Sequence, residues 1–235
     1  VFLLFAVETI PAKEFSNPDR IRYDGSCMTI DGKDVFIYSA AFHYFRCPEE
    51  LWRDRFQKIK EAGFNTVETY VPWNWHEREM PVGLSDTTKF DFSDIKRWLK
   101  MAQDEFGFYT IVRPGPFICA EFSGGAYPRW LAKFRPQGYQ GLWLRSADPT
   151  HVRWFDAVCK ALADEQLTRK PKGGKGIILI QIENEYNAHG CENKSYFLKE
   201  LYRSVRRNGF DIPVFTCLTG ECRGSSDKEL SQVFD

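Results

Sequence analysis

Apolar residues fall into short continuous runs that alternate with segments of helical spacing. Val35-Phe36-Ile37-Tyr38 is an apolar run entered through Asp31-Gly32, a dipeptide suited to a hairpin turn, and reads as a first strand. Pro48-Glu49-Glu50 then opens a helix, because proline fits the first turn and the acids complement the helix dipole. Leu51, Trp52, Phe56, Ile59 and Ala62 form its apolar stripe and Gly63 closes it. Thr66–Val71, rich in β-branched residues, is a second strand.

The same unit recurs. Asp91, Ser93 or Asp94 caps a helix carrying Ile95, Trp98, Leu99, Ala102 and Phe106, ended by Gly107. Phe108–Val112 is the third strand. Asp148-Pro149 begins a helix with Val152, Phe155, Val158 and Leu162 on one face. Ile177–Ile182 is the fourth strand, apolar throughout as a doubly covered parallel strand should be. Phe197, Leu198, Leu201 and Val205 mark a helix ending at Gly209, and Val214–Cys217 is the fifth strand.

Strands alternating with crossover-length helices imply a parallel sheet of the α/β class. An open doubly wound sheet that holds a nucleotide carries a glycine-rich turn after an early strand, and none occurs. Gly173, Gly174 and Gly176 precede a strand and read as a solvated loop. Polar and aromatic clusters lie just past the strand ends, where a (β/α)8 TIM barrel keeps its active site. A full barrel takes about 250 residues, so the expectation is an incomplete one. About five of its eight strands are present in 235 residues. Residues 1–34 precede the barrel, and 35–235 form its first part, continuing beyond the chain end.

Lys+Arg and Asp+Glu both number 32. The basic surplus of a phosphate-neutralising protein is missing, so a neutral partner fits better than nucleic acid. Aromatic residues reach 16%, a share that fills cores and also stacks on sugars. No apolar run approaches the length of about 20 residues that spans a membrane. Val1–Val7 is apolar and matches either a signal-peptide core or an ordinary terminus. The seven cysteines contain no C-x-x-C pair. Cys217 and Cys222 are spaced for a small disulfide loop, with buried free thiols as the alternative. Asn193-Lys194-Ser195 is a glycosylation sequon.

Strand four runs into Glu183-Asn184-Glu185-Tyr186. Carboxylates at the end of an apolar strand are costly unless used or paired. At period two, Glu183 and Glu185 point to one side and Asn184 to the other, unless a bulge intervenes. Strand one leads to Phe42–Arg46, strand two to Tyr70–Glu77 and strand three to Arg113–Phe122. Convergent Glu, Asn, His, Tyr and Trp suit neutral carbohydrate chemistry: carboxylates move protons, amides grip hydroxyls and rings stack on the sugar. The four histidines are scattered, with no H-E-x-x-H, so no metal site and no cofactor is expected. No G-x-S-x-G elbow occurs either. Arg113 is read as the buried partner of a carboxylate, Glu68 or Glu121, and His76 as a wall residue.

Tyr70-Val71-Pro72-Trp73-Asn74-Trp75-His76-Glu77, Arg113-Pro114-Gly115-Pro116-Phe117-Ile118-Cys119-Ala120-Glu121 and Gln181-Ile182-Glu183-Asn184-Glu185-Tyr186 together resemble glycoside hydrolase family 35, the β-galactosidases. The resemblance runs from about Arg22 to Thr219. It implies a (β/α)8 barrel whose acid/base is Glu185, with Asn184 on the sugar 2-hydroxyl. Tyr70, Ile118, Cys119, Ala120 and Glu121 match pocket-lining positions, Glu121 as a hydroxyl acceptor. Phe117 stands where the family usually has Tyr, and Phe122-Ser123-Gly124-Gly125 varies a Trp-containing stretch; both are expected at the pocket's outer wall. The family's nucleophile, a Glu closing strand seven, is absent from this chain. Glu183 is no substitute, being two residues from Glu185, and is expected to orient its neighbours or to buffer the acid's charge.

The resemblance thus implies a retaining exo-glycosidase removing terminal β-D-galactosyl residues, with a β-galactoside as partner. The alternatives are cleavage of another β-linked sugar such as glucosamine, or a non-catalytic sugar-binding remnant. The family's frequent secretion points to a secreted, periplasmic or lysosomal protein.

Overall fold

The structure is a computed structural model that describes residues 20–23, 26–133, 145–186, 194–217 and 233–234. The N-terminal apolar run, the sequon asparagine and Cys222 lie outside the described residues. Strands β1 (Ile21–Tyr23), β2 (Met28–Ile30) and β3 (Lys33–Val35) form a three-stranded antiparallel sheet. Asp31 and Gly32 make the turn between β2 and β3 at φ 52° and 78°, the positive values that a two-residue hairpin turn needs. Arg20 ties this sheet to the rest, reaching Asp31 at 2.7 Å and the Leu167 carbonyl at 2.8 Å.

The expected first strand is displaced. Val35 closes the hairpin, Phe36 is 83% exposed, and the first parallel strand is β4 (Ser39–Ala41). The Asn65 side chain accounts for the difference. It accepts from the Tyr38 amide at 3.0 Å and donates to the Phe36 carbonyl at 2.7 Å, which takes those backbone groups out of strand pairing. Tyr38 instead stacks on Phe64, centroids 4.1 Å apart.

After β4, two 3₁₀ turns, Tyr44–Arg46 and Glu49–Leu51, lead into α1 (Trp52–Glu61), followed by β5 (Thr66–Tyr70) and the short α2 (Trp73–His76). Trp52 and Phe56 are buried on α1, whereas Leu51 and Ala62, expected on its stripe, are exposed. Next come α3 (Ser93–Lys100), extended by a π turn, and β6 (Tyr109–Arg113). The N-cap position falls on Phe92, without a side-chain cap, and the Asp91 carboxylate just before it accepts the Ser93 amide at 2.9 Å. The long α4 (Pro149–Leu162) is capped by Asp148, which accepts from the Thr150 amide at 2.8 Å. Then follow β7 (Ile177–Gln181), α5 (Lys194–Arg207), β8 (Val214–Phe215) and β9 (Val233–Phe234).

The six strands from β4 to β9 form one parallel sheet in strict sequence order. A doubly wound sheet reverses its order at a switch point; this one never does. The winding is that of a TIM barrel, and the sheet is open among the described residues. Six strands take part where about five were expected, because two residues, Val233 and Phe234, begin a sixth.

Aromatic residues supply much of the core. Trp73 and Trp154 are fully buried and stack at 5.6 Å with planes 5° apart. Phe56 packs on Trp98 at 5.4 Å and edge-on to Phe42 at 4.9 Å. Each such side chain contributes roughly 1.5–3 kcal/mol through burial. The interior also holds paired charges, among them fully buried Glu77, which meets Arg153 at 2.7 Å and accepts from the Trp73 indole at 2.8 Å.

Candidate active site

The polar cluster at the end of β7 begins with Gln181, the last strand residue. Its Oε1 accepts from Arg113 Nε at 2.7 Å, and its Nε2 reaches Asn184 Oδ1 at 3.3 Å. Arg113, closing β6, also donates to Asn184 Oδ1 at 3.1 Å and sits 3.4 Å from Glu68 on β5. Its guanidinium lies 4.1 Å from the Tyr70 ring centroid. Arg113 is therefore the partner of Glu68, one of the two acids expected, and not of Glu121. Two donors converge on Asn184 Oδ1, which fixes the amide so that Nδ2 is the remaining donor. That Nδ2 makes no hydrogen bond to protein among the described residues.

Period two fails beyond Gln181. Glu183 and Glu185 both take positive φ, 55° and 47°, so the backbone has left the pleat and the two carboxylates part. Glu183 is fully buried. Burial pushes its carboxyl pKa up, while Arg145 and the amides of Phe117 and Asn184 pull it back toward ionisation. Glu185 is half-buried, and its amide donates to the Cys217 carbonyl at 2.8 Å. Its carboxylate makes no hydrogen bond to another described residue.

The loop after β6 supplies the remaining expected positions. Ile118 and Ala120 are buried against Tyr70 and Phe122, while Cys119 is an exposed free thiol and the Glu121 side chain is 88% exposed. Cys119, Ala120 and Glu121 occupy the left-handed region in succession, at φ 57°, 48° and 53°. That conformation costs a non-glycine residue about 1–2 kcal/mol and must be held from outside. Arg46, from the loop after β4, donates to the Ala120 carbonyl and lies 3.9 Å from the Glu121 carboxylate. Gly125 (φ 66°) accommodates the Phe117 ring, into which any Cβ at that position would run.

Tyr70 sits at the centre. Burial raises its phenol pKa and Arg113 opposes the rise; Glu68, Cys217 and Cys119 are close enough to act on it as well. The structure thus groups Tyr70, Ile118, Ala120, Asn184 and Arg113, and leaves Cys119, Glu121 and Glu185 at a more open edge. His76 is a wall residue, buried between the Tyr44 hydroxyl and the Asp91 carbonyl, each at 2.5 Å. Among the described residues, no group of three or more His, Cys, Asp or Glu is placed to hold a metal ion.

Two contributors were not singled out in the sequence. Arg46 appeared only within a strand-end string, and Arg145 not at all. Arg145 sits in irregular backbone three residues before the Asp148 cap, where no periodicity marks it. Phe117, expected at the outer wall, is half-buried, with the Arg145 guanidinium 4.2 Å from its ring centroid.

The sequence profile of Glycosyl hydrolases family 35 matches residues 27–232. The chain belongs to this family. It is 35% identical over 201 residues to the cat β-galactosidase, an alignment covering 84% of this chain and 28% of that protein. It is 36% identical over 185 residues to human β-galactosidase-1-like protein 3, covering 77% and 26%. With β-galactosidase 1 of Dictyostelium discoideum it shares 39% over 160 residues, covering 68% and 22%. The chain therefore spans less than a third of the length of these relatives. A family 39 glycoside hydrolase from Bacteroides cellulosilyticus superposes with a TM-score of 0.51 at 18% identity, over 76% of this chain and 30% of that one. The β-galactosidase from Marinomonas gives 0.51 at 11%, over 76% and 36%. These two likenesses bear on the fold alone and agree with a TIM-barrel-like sheet.

Proposed function

We propose that this chain carries the acid/base half of a retaining exo-β-galactosidase, built on a (β/α)8 barrel that closes in the full-length protein. Glu185 protonates the glycosidic oxygen as the bond to the anomeric carbon breaks. A carboxylate from strand seven attacks the opposite face, about 5–5.5 Å away in retaining enzymes. Glu185, now ionised, then takes a proton from water as that water displaces the enzyme carboxylate. The carrying observation is the fixed amide of Asn184. Arg113 and Gln181 hold its oxygen, which leaves Nδ2 to donate to a sugar 2-hydroxyl beside Glu185. Tyr70, Ile118, Cys119, Ala120 and Glu121 line the galactose pocket, Glu121 accepting from hydroxyls.

The test uses the full-length protein and two substrates. Glu185→Gln is expected to lower kcat on lactose at least 100-fold, the usual scale of general acid catalysis. An aryl β-galactoside whose leaving group needs no proton should lose far less in its first step, and galactose should still bind. Normal lactose turnover by Glu185→Gln overturns the assignment.

A further inference from the structure

The Glu183 carboxylate is shared by three segments of chain. Oε1 accepts from the Phe117 amide, in the loop after β6, at 3.1 Å. Oε2 accepts from Arg145 at 2.6 and 3.1 Å, and from the Asn184 amide at 3.3 Å. Arg145 Nη2 also donates to the Asn184 carbonyl at 2.5 Å. The guanidinium carbon lies 4.2 Å from the Phe117 ring centroid and 5.4 Å from that of Tyr186. A buried ion pair is a poor way to gain stability, since an apolar pair of equal volume usually does as well. What this pair provides is geometry. Both loops it joins contain non-glycine residues in the left-handed region, at 119–121 and at Glu183 and Glu185, and such backbone persists only when its surroundings over-determine it.

The geometry points to Arg145 and Glu183 as a positioning pair that fixes the Asn184-Glu185 loop against the Phe117–Glu121 loop. On the galactosidase reading, on which this inference rests for its catalytic consequence, the pair sets the distance between the proton donor and the pocket wall. Neither residue touches substrate. Arg145 acts through Glu183 and the Asn184 carbonyl, and Glu183 through the Phe117 and Asn184 amides.

The experiment uses full-length protein carrying Glu183→Gln, Arg145→Lys or Arg145→Met. Glu183→Gln keeps the shape and an acceptor but removes the charge. Amide hydrogen exchange in Glu183→Gln should quicken at least tenfold in both segments, 117–121 and 183–186, with the β5 and β6 amides unchanged. On lactose, which needs a well-placed acid, kcat should fall about 100-fold; on an activated aryl β-galactoside it should fall less than tenfold. Arg145→Lys should recover part of what Arg145→Met loses. A merely structural role would lower both substrates equally, and that result overturns the inference. Faster exchange confined to 183–186 overturns it as well. Should the unaltered protein cleave neither substrate, the galactosidase reading fails, and the exchange measurement alone decides the positioning role.

Discussion

Individual histidines show how burial alone fixes a protonation state. His76 Nδ1–H donates to the Asp91 carbonyl, and with burial keeping the ring neutral Nε2 accepts from the Tyr44 hydroxyl. Burial lowers the His76 pKa from 6.5 to about 4, with the Asp91 bond and the Asp91 and Asp94 carboxylates opposing and Arg78 reinforcing. His151 is likewise lowered to about 4 by burial, against its bond to the Ser146 carbonyl and the Asp148 charge. The unfolded chain therefore takes up these protons near pH 6.5, while the folded chain refuses them until about pH 4. Stability from each group is complete above pH 6.5, is lost as pH falls toward 4 and is flat below that. The loss is on the order of 3 kcal/mol per histidine. His43, also lowered to about 4 but less deeply buried, adds less. Thermal unfolding of the full-length protein between pH 7 and 4.5 should therefore show a falling Tm. His76→Gln should start lower and fall less steeply. Parallel pH profiles for the two proteins would show that His76 does not stay neutral.

At the scale of elements, close approach of backbones matters as much as apolar pattern. A Cβ at Gly176, just before β7, would stand 2.6 Å from the Leu167 amide nitrogen and 2.7 Å from its Cα. Those are main-chain atoms that cannot swing away. Gly176→Ala should cost about 1–3 kcal/mol, the range for overpacked sites, whereas Gly83→Ala, with nothing within 4 Å, should be neutral. Comparing the Tm of the two variants checks this, and equal values would contradict it. The three nearby glycines read in the sequence as one solvated loop, yet Gly176 is buried, because a missing side chain leaves no trace in a hydropathy pattern. The larger elements were legible: α4, β5, β6 and β7 lie within a residue or two of their expected bounds, and α5 carries the expected stripe, since their periodicity reports burial directly. The first parallel strand was not, because Ser39-Ala40-Ala41 has no apolar signature and the apolar run before it is diverted by Asn65. At the site, the Glu-Asn-Glu string stood out as a polar cluster closing an apolar strand. Its division into a buried, paired Glu183 and an open Glu185 depends on left-handed backbone that the sequence does not advertise. Arg145, lying outside any periodic segment, could be found only through its contacts.

For the molecule as a whole, the open sheet has consequences of its own. Among the described residues β4 pairs only with β5 and β9 only with β8, so each presents one row of unpaired backbone groups. Phe36 and Tyr38, exposed just before β4, add apolar surface beside that edge. Unpaired parallel edges invite pairing with another chain, and exposed apolar area strengthens the tendency. In a closed barrel both edges find partners, and the chain spans under a third of relatives long enough to supply the missing strands. Residues 1–235 expressed by themselves should therefore self-associate, while the full-length protein should not do so through this edge. Ala41→Lys places a charge on an exposed position of β4, a device that natural sheets use to block edge pairing. In size-exclusion chromatography with light scattering, that change should shift residues 1–235 toward monomer. A monodisperse monomer without it would mean that other parts of the chain already cover the edges, and that residues 1–235 form a self-sufficient unit.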